Sequence, residues 1–171
     1  MRFSELERFF YRNPDRSIHL RELSRELDVS TGYISGKIDQ LIEQGIVNEK
    51  KKGNMRSFSA VTSNRRYRLS KKSFNINQIL SSDLIRYIDE NLYPDTTVLF
   101  GSYLEGTDNQ ESDIDLAVIN ARKKSLDLNS YETEFEREIN ITNIEKLEDC
   151  GKSFKNTLAN GLVLSGYLKV S

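Results

Sequence analysis

Two short segments of this 171-residue chain carry the side chains best suited to chemistry. The first is Thr97-Val98-Leu99-Phe100-Gly101-Ser102-Tyr103-Leu104-Glu105-Gly106, and the second is Glu111-Ser112-Asp113-Ile114-Asp115-Leu116-Ala117-Val118-Ile119. A Gly-Ser turn that leads from a strand into a helix exposes backbone N–H groups, and here the Ser102 hydroxyl, to an anion. Asp113 and Asp115 are two apart, so on a strand both side chains project from one face. Two carboxylates held together repel unless a cation joins them, and oxygen ligands suit magnesium. A phosphate cradle beside such a pair is the apparatus of phosphoryl or nucleotidyl transfer. The plainer alternative is that the aspartates only cap a strand end.

The elements that must position these residues can be read around them. Val98-Leu99-Phe100 reads as a buried strand, and Ile114, Leu116 and Val118 set the aspartates at the edge of a core. Ahead of the strand, Ile79, Leu80, Leu84, Ile85, Ile88 and Leu92 predict one amphipathic helix from Phe74 to Leu92, stopped at Tyr93-Pro94. The polar, basic stretch Thr62–Ser73 reads as an inter-domain link. Downstream, the pattern gives a helix around Tyr131–Glu138, a strand Ile139–Ile144, and a short helix with a final strand in Phe154–Leu168.

The first half has a different pattern. Phe3, Leu6 and Phe10 predict a helix ending near Asn13-Pro14. Ser17-Ile18-His19 is a short extended link, Leu20, Leu23 and Leu27 mark a second helix, and Asp28-Val29-Ser30 is a tight turn with Ser30 as N-cap. The third helix buries Ile34, Ile38, Leu41 and Ile42 and closes at Gly45. Its opposite face holds Thr31, Tyr33, Ser35, Lys37 and Gln40, groups able to reach base edges and phosphates. Gly32 and Gly36 are poor helix formers whose cost suits a contact surface better than a core. Ile46 to Val61 reads as a β-hairpin around a Gly53-Asn54 turn, with Lys50, Lys51, Lys52 and Arg56 placed to touch phosphates. Arg65, Arg66 and Arg68 extend the basic surface. From about Arg2 to Val61 the chain resembles the winged helix-turn-helix of small prokaryotic transcription regulators. That resemblance implies binding to double-stranded DNA, as a homodimer where paired half-sites are read. A protein-docking role for the same module stays open.

Composition separates the halves. Residues 1–72 carry 16 Lys and Arg against 9 Asp and Glu, and residues 73–171 carry 9 against 17. A basic half and an acidic half suggest modules with different partners. A single cysteine, Cys150, cannot form an internal disulfide, nor can it build a zinc site with the lone His19. No apolar run is long enough to span a bilayer, and the start of the chain lacks the apolar region of a signal peptide. A cytoplasmic protein with no membrane partner is the expectation.

The two-part motif, Gly-Ser followed about ten residues later by Ser-Asp-Ile-Asp-Leu, resembles the signature of the DNA polymerase beta superfamily, and within it the minimal nucleotidyltransferases. The resemblance covers roughly Asn75 to Ser171. Winged-helix proteins fused to such a domain form a prokaryotic, notably archaeal, family, which the whole chain resembles. It implies an α+β chain: a winged helix-turn-helix over 1–70, then a small mixed-sheet nucleotidyltransferase domain over 74–171. It also implies that Gly101 and Ser102 bind a nucleoside triphosphate and that Asp113 and Asp115 are catalytic and hold Mg2+. Two positions depart from the family pattern. Asn140 stands where catalytic members carry a third carboxylate, and Glu105 stands where many have an arginine. Glu138 is the nearest substitute acid, though the pattern assigns it to a helix end. Tyr103 is the only aromatic candidate for a base platform. Two functions remain. One is a DNA-binding regulator with a nucleotide-binding, weakened transferase domain. The other is an active enzyme moving a nucleoside monophosphate to an acceptor hydroxyl on a protein or nucleic acid. Family analogy adds a toxin–antitoxin type pair as a setting.

Overall fold

The computed structural model describes residues 3–53 and 55–169. The chain divides into two compact units, Met1–Phe74 and Asn75–Ser171.

In the first unit, α1 (Glu5–Arg12) opens with a reciprocal cap. The Ser4 hydroxyl accepts from the Glu7 N–H, and the Glu7 carboxylate accepts from the Ser4 N–H at 2.8 Å. Ser17–His19 is more than a link: it is a strand, β1, paired antiparallel with β3. Next come α2 (Leu20–Glu26) and α3 (Thr31–Glu43), the latter capped by Ser30, whose hydroxyl accepts from the Tyr33 N–H at 3.2 Å. The chain leaves α3 through Gly45, whose φ of +70° favours glycine. The hairpin β2 (Val47–Lys52) and β3 (Met55–Ala60) pairs Lys52 with Met55; Asn54, expected in its turn, lies outside the described residues. The sheet order is β1-β3-β2.

Ile34, Ile38 and Leu41 of α3 pack with Leu6, Phe10, Ile18, Leu23 and Phe58 in one core. Burying each such side chain contributes about 1.5–3 kcal/mol. That outweighs the roughly 1 kcal/mol each that Gly32 and Gly36 cost in a helix interior.

The expected link at residues 62–73 is instead mostly helical. α4 runs Arg65–Ser81. Tyr67, Lys71 and Phe74 form a buried stripe at helical spacing inside a segment that is otherwise polar. Tyr67 donates its hydroxyl to the Phe10 carbonyl at 3.0 Å and packs on Tyr11, while Phe74 packs on Phe3 and Tyr11. The single helix expected from Phe74 to Leu92 is two. α4 ends at Ser81, and α5 (Leu84–Leu92) begins after Ser82-Asp83. Ser and Asp compete for backbone hydrogen bonds and favour such breaks. The Ser82 hydroxyl donates to the Ile79 carbonyl at 2.8 Å.

The second unit is built on a four-stranded mixed sheet ordered β6-β5-β4-β7. β4 (Thr96–Phe100) leads into the five-residue helix α6 (Gly101–Glu105), and β5 (Ile114–Ile119) returns antiparallel to β4. α7 (Asn129–Phe135) carries the chain over to β6 (Ile139–Ile144), parallel to β5. A parallel pair needs such a crossover. A 3-10 turn (Leu147–Asp149) and α8 (Lys152–Ala159) precede β7 (Leu162–Gly166), which lies antiparallel to β4.

Alternation divides the sheet's side chains. Leu99, Ile114, Leu116 and Val118 join Ile79, Ile88 and Leu104 in the larger core. Val98, Ala117 and Ile144 face the other way, onto Leu158 of α8.

Candidate functional site

Asp113 and Asp115 share a sheet face with Ala117 by the two-residue period, on the side away from the larger core. Asp113 immediately precedes β5 and Asp115 lies within it. The register sets Phe100 opposite Asp115 on one side and Asn140 opposite Asp115 on the other. The end of β4, the start of β5 and the start of β6 therefore converge on one corner.

Gly101 is fitted to that corner. Its φ is +78°, and a Cβ placed on it would lie 2.4 Å from Asp115 Oδ2. No other residue type leaves the Asp115 carboxylate its place against the turn. Ser102, the second residue of α6, is half-buried beside it, and its carbonyl accepts from the Thr107 N–H at 3.1 Å. Gly106, in the left-handed conformation, ends α6. Glu105 is exposed, whereas Tyr103 is buried in the core. Tyr103 is thereby corrected from base platform to core residue: its ring sits with Leu99 and Leu104.

Asn140 Nδ2 donates to Asp113 Oδ2 at 2.8 Å. Asp115 is raised above its ordinary carboxylate value, first by burial and then by the Asp113 charge, with an offsetting hydrogen bond from Asn140. Hard divalent cations suit this donor set of two carboxylates and an amide, and a cation would relieve the repulsion that raises Asp115. Among the described residues no group of three or more Asp, Glu, His or Cys side chains could hold a metal. Glu138 follows α7 rather than ending it. Its carbonyl accepts from the Ile114 N–H at 2.8 Å, and its exposed side chain lines, with Asp113, a cavity of about 560 Å³. Glu111, Glu132 and Glu136 also line it.

A polar network that the sequence did not reveal steadies the corner. Asn75, buried, donates to the Tyr103 carbonyl and to Asp108 Oδ1, both at 2.8 Å. Asp108 in turn lies 3.9 Å from the guanidinium of Arg137, one residue before Glu138, and both side chains are buried. The loop after α6 is thus tied to the entrance of β6. Only Arg137's place in a charged run hints at this in the sequence.

In the first unit, Thr31, Lys37 and Gln40 are exposed, Tyr33 is 48% exposed and Ser35 is half-buried. A Cβ on Gly32 or Gly36 would meet nothing within 4 Å. Lys50, Lys51 and Lys52 are exposed, with Lys51 3.7 Å from Glu49. Arg56, expected to touch phosphates, is engaged within the unit. Its guanidinium pairs with Glu49 and, at 3.4 Å, with Asp39 on the exposed face of α3, and it stacks over Phe58. It joins helix to hairpin and neutralises two carboxylates. His19, exposed, has Nδ1 3.3 Å from the Arg56 carbonyl, and Cys150 is a free thiol.

The second unit combines a mixed sheet with a glycine turn packed on a paired-aspartate strand. Residues 82–164 match the model of the family described as Polymerase beta, Nucleotidyltransferase. The match takes in Gly101, Ser102, Asp113, Asp115 and Asn140, and the second unit is similar to that family over this span. No curated protein and no solved structure matches the chain. Among the described residues, no helix is long and apolar enough to cross a membrane.

Proposed function

We propose that this chain is a cytoplasmic, DNA-binding regulator whose second unit binds a magnesium–nucleoside triphosphate and transfers from it weakly. The observation that carries the reading is the corner itself: a glycine turn with no room for a Cβ against Asp115, and an uncharged Asn140 bonded to Asp113. The Gly101-Ser102 turn would receive the phosphates, and Asp113 and Asp115 would hold Mg2+, whose chemistry is to neutralise charge on the transferring phosphate. Asn140 has no carboxylate with which to take a proton from an acceptor hydroxyl or to bring a second cation close. Binding then outlasts turnover.

The first unit supports the DNA-binding half. We assign it as a winged helix-turn-helix of the archaeal type, with α3 as recognition helix and the β2–β3 hairpin as wing. Support comes from the exposure of Thr31, Tyr33, Lys37 and Gln40 beside a hairpin tip of three exposed lysines. A homodimer reading paired half-sites suits such a module. DNA binding that persisted unchanged from low to high salt would contradict this assignment.

Calorimetric titration of magnesium with ATP and with GTP tests the nucleotide half. Wild type should bind, and the Asp113→Ala/Asp115→Ala variant should not. Absence of binding in wild type would remove the proposal for the second unit.

The second reading is a working transferase, in which the acceptor O–H is deprotonated and its oxygen attacks the α-phosphorus while pyrophosphate departs. The cavity beside Asp113 favours it, since an acceptor has room there. Its carboxylates favour a hydroxyl on a basic polypeptide, such as the partner in a toxin–antitoxin pair, over one on a phosphate backbone. Pyrophosphate release with label transfer to an acceptor would decide for this reading.

A further inference from the structure

We infer that Asn140 restricts this site to one divalent cation, so that a nucleoside triphosphate is held with the cation that accompanies it and without the one that would activate an acceptor. The inference rests on the nucleotide-binding reading above and specifies what that site can assemble.

The argument is one of charge and position. Two cations about 3.5–4 Å apart, the arrangement that clamps both the attacking and the leaving oxygen of a displacement, repel each other strongly. They are held only where anionic oxygens reach both ions. Asp113 and Asp115 supply two carboxylates. The register sets Phe100, which has no ligand atom, beside Asp115 on one strand and residue 140 beside it on the other, so residue 140 is the cross-strand neighbour of Asp115 from which a third could bridge. That position holds an amide, and the amide is engaged: Asn140 Nδ2 donates to Asp113 Oδ2 at 2.8 Å. The bond has two consequences. It consumes a lone pair of Asp113, an oxygen that a second ion would need. It also steadies Asp113 next to Asp115 without adding negative charge, as a partly neutralised, single-ion site requires. Glu138, though nearby, is exposed and lines the cavity on the Asp113 side. Without a third anion at 140, the cation that accompanies the triphosphate is retained and the one that would activate an acceptor is not.

The test uses Mn2+ in place of Mg2+, read by electron paramagnetic resonance on the full chain with a non-hydrolysable ATP analogue and protein in excess over nucleotide. Two Mn2+ ions within about 4 Å couple magnetically and broaden the spectrum, whereas a single ion gives an isolated six-line signal. Wild type should saturate with one ion per nucleotide and show the isolated signal. Asn140→Asp should bind a second ion and show the coupled signal. Asn140→Ala, which loses the hydrogen bond without gaining charge, should stay at one. A coupled pair in wild type overturns the inference, and so does a folded Asn140→Asp that still binds a single ion. A wild-type spectrum identical to that of Mn2+ and the analogue without protein instead overturns the nucleotide-binding reading beneath it. Circular dichroism melts establish that each variant is folded. Because the wild-type spectrum can by itself overturn the inference, the test does not depend on a variant folding.

Discussion

Glycine is placed under opposite constraints in the two candidate sites. On α3, Gly32 and Gly36 stand in open space, and a methyl group on either would touch nothing. At the head of α6, Gly101 is held at positive φ with the Asp115 carboxylate where its Cβ would be. The contrast extends to the charges. The hairpin lysines are exposed, with Lys51 3.7 Å from Glu49, and the one arginine among them is paired with Glu49 and Asp39. The aspartates are engaged with Asn140 and with each other. One surface is open to solvent, and the other is held by its own neighbours. Alanine at these glycines should therefore have effects of opposite sign on stability in the two places, and neutralisation of charge should alter stability at the aspartates and leave it unchanged at the lysines.

The largest effect is expected from Gly101→Ala. A Cβ 2.4 Å from Asp115 Oδ2 cannot be accommodated, and the φ of +78° is unfavourable for any residue with one. Strain of this kind costs about 1–3 kcal/mol. Thermal unfolding should move down by several degrees, and calorimetry should detect no magnesium-dependent nucleotide binding. Wild-type affinity in this variant would mean that the turn does not face the phosphates.

Next in size is the Lys50→Ala/Lys51→Ala/Lys52→Ala variant. These side chains are exposed, so the melting temperature should barely change. DNA affinity at moderate salt should fall by one to two orders of magnitude, and the slope of log K against log salt should shrink by about 0.9 for each lysine that meets a phosphate. An unchanged slope, measured by fluorescence anisotropy, would remove the hairpin from the interface.

A smaller effect of the opposite sign on stability is expected from Gly36→Ala. Nothing obstructs the methyl group, and helix propensity favours alanine by about 0.8–1 kcal/mol. The variant should melt a few degrees higher and bind DNA more weakly, because the added methyl occupies the approaching surface. Tighter or equal binding would place Gly36 outside the contact.

The same pairs explain what could be read from the sequence. The helices, the hairpin and the Gly-Ser and Asp-x-Asp segments were legible because each is signalled locally, by period, cap or turn residues. The helical character of residues 65–73 was hidden because Tyr67 and Lys71 are the buried members of a stripe surrounded by arginines and serines. The break before α5 was signalled by Ser82-Asp83, but the apolar period on either side continued through it. The ion pairs of Arg56 were not legible because its partners lie 7 and 17 residues away, across the hairpin and on α3. The register that sets Asn140 beside Asp115 depends on a parallel pairing that no local pattern encodes.

The smallest effect separates the function of the carboxylate pair from its stability. Burial, and then the Asp113 charge, raise Asp115 above its ordinary value of 3.8, and the Asn140 hydrogen bond offsets only part of this. The folded chain therefore binds that proton more tightly than the unfolded chain does. Stability contributed by the protonated form is present below pH 3.8 and is lost as pH rises through the raised value. At neutral pH the ionised Asp115 is a net cost to the fold. Asp115→Asn removes the charge and keeps the shape, so it should raise the melting temperature slightly at pH 7, and the gain should disappear below pH 3.8. The solvated lysines of the hairpin should show no counterpart, and their alanine variants should melt like wild type across the same range. A melting temperature for Asp115→Asn below wild type at pH 7 would mean that Asp115 is stabilised by its neighbours in the ligand-free state. The comparison between an internally strained corner and a relaxed surface would then fail at its central residue.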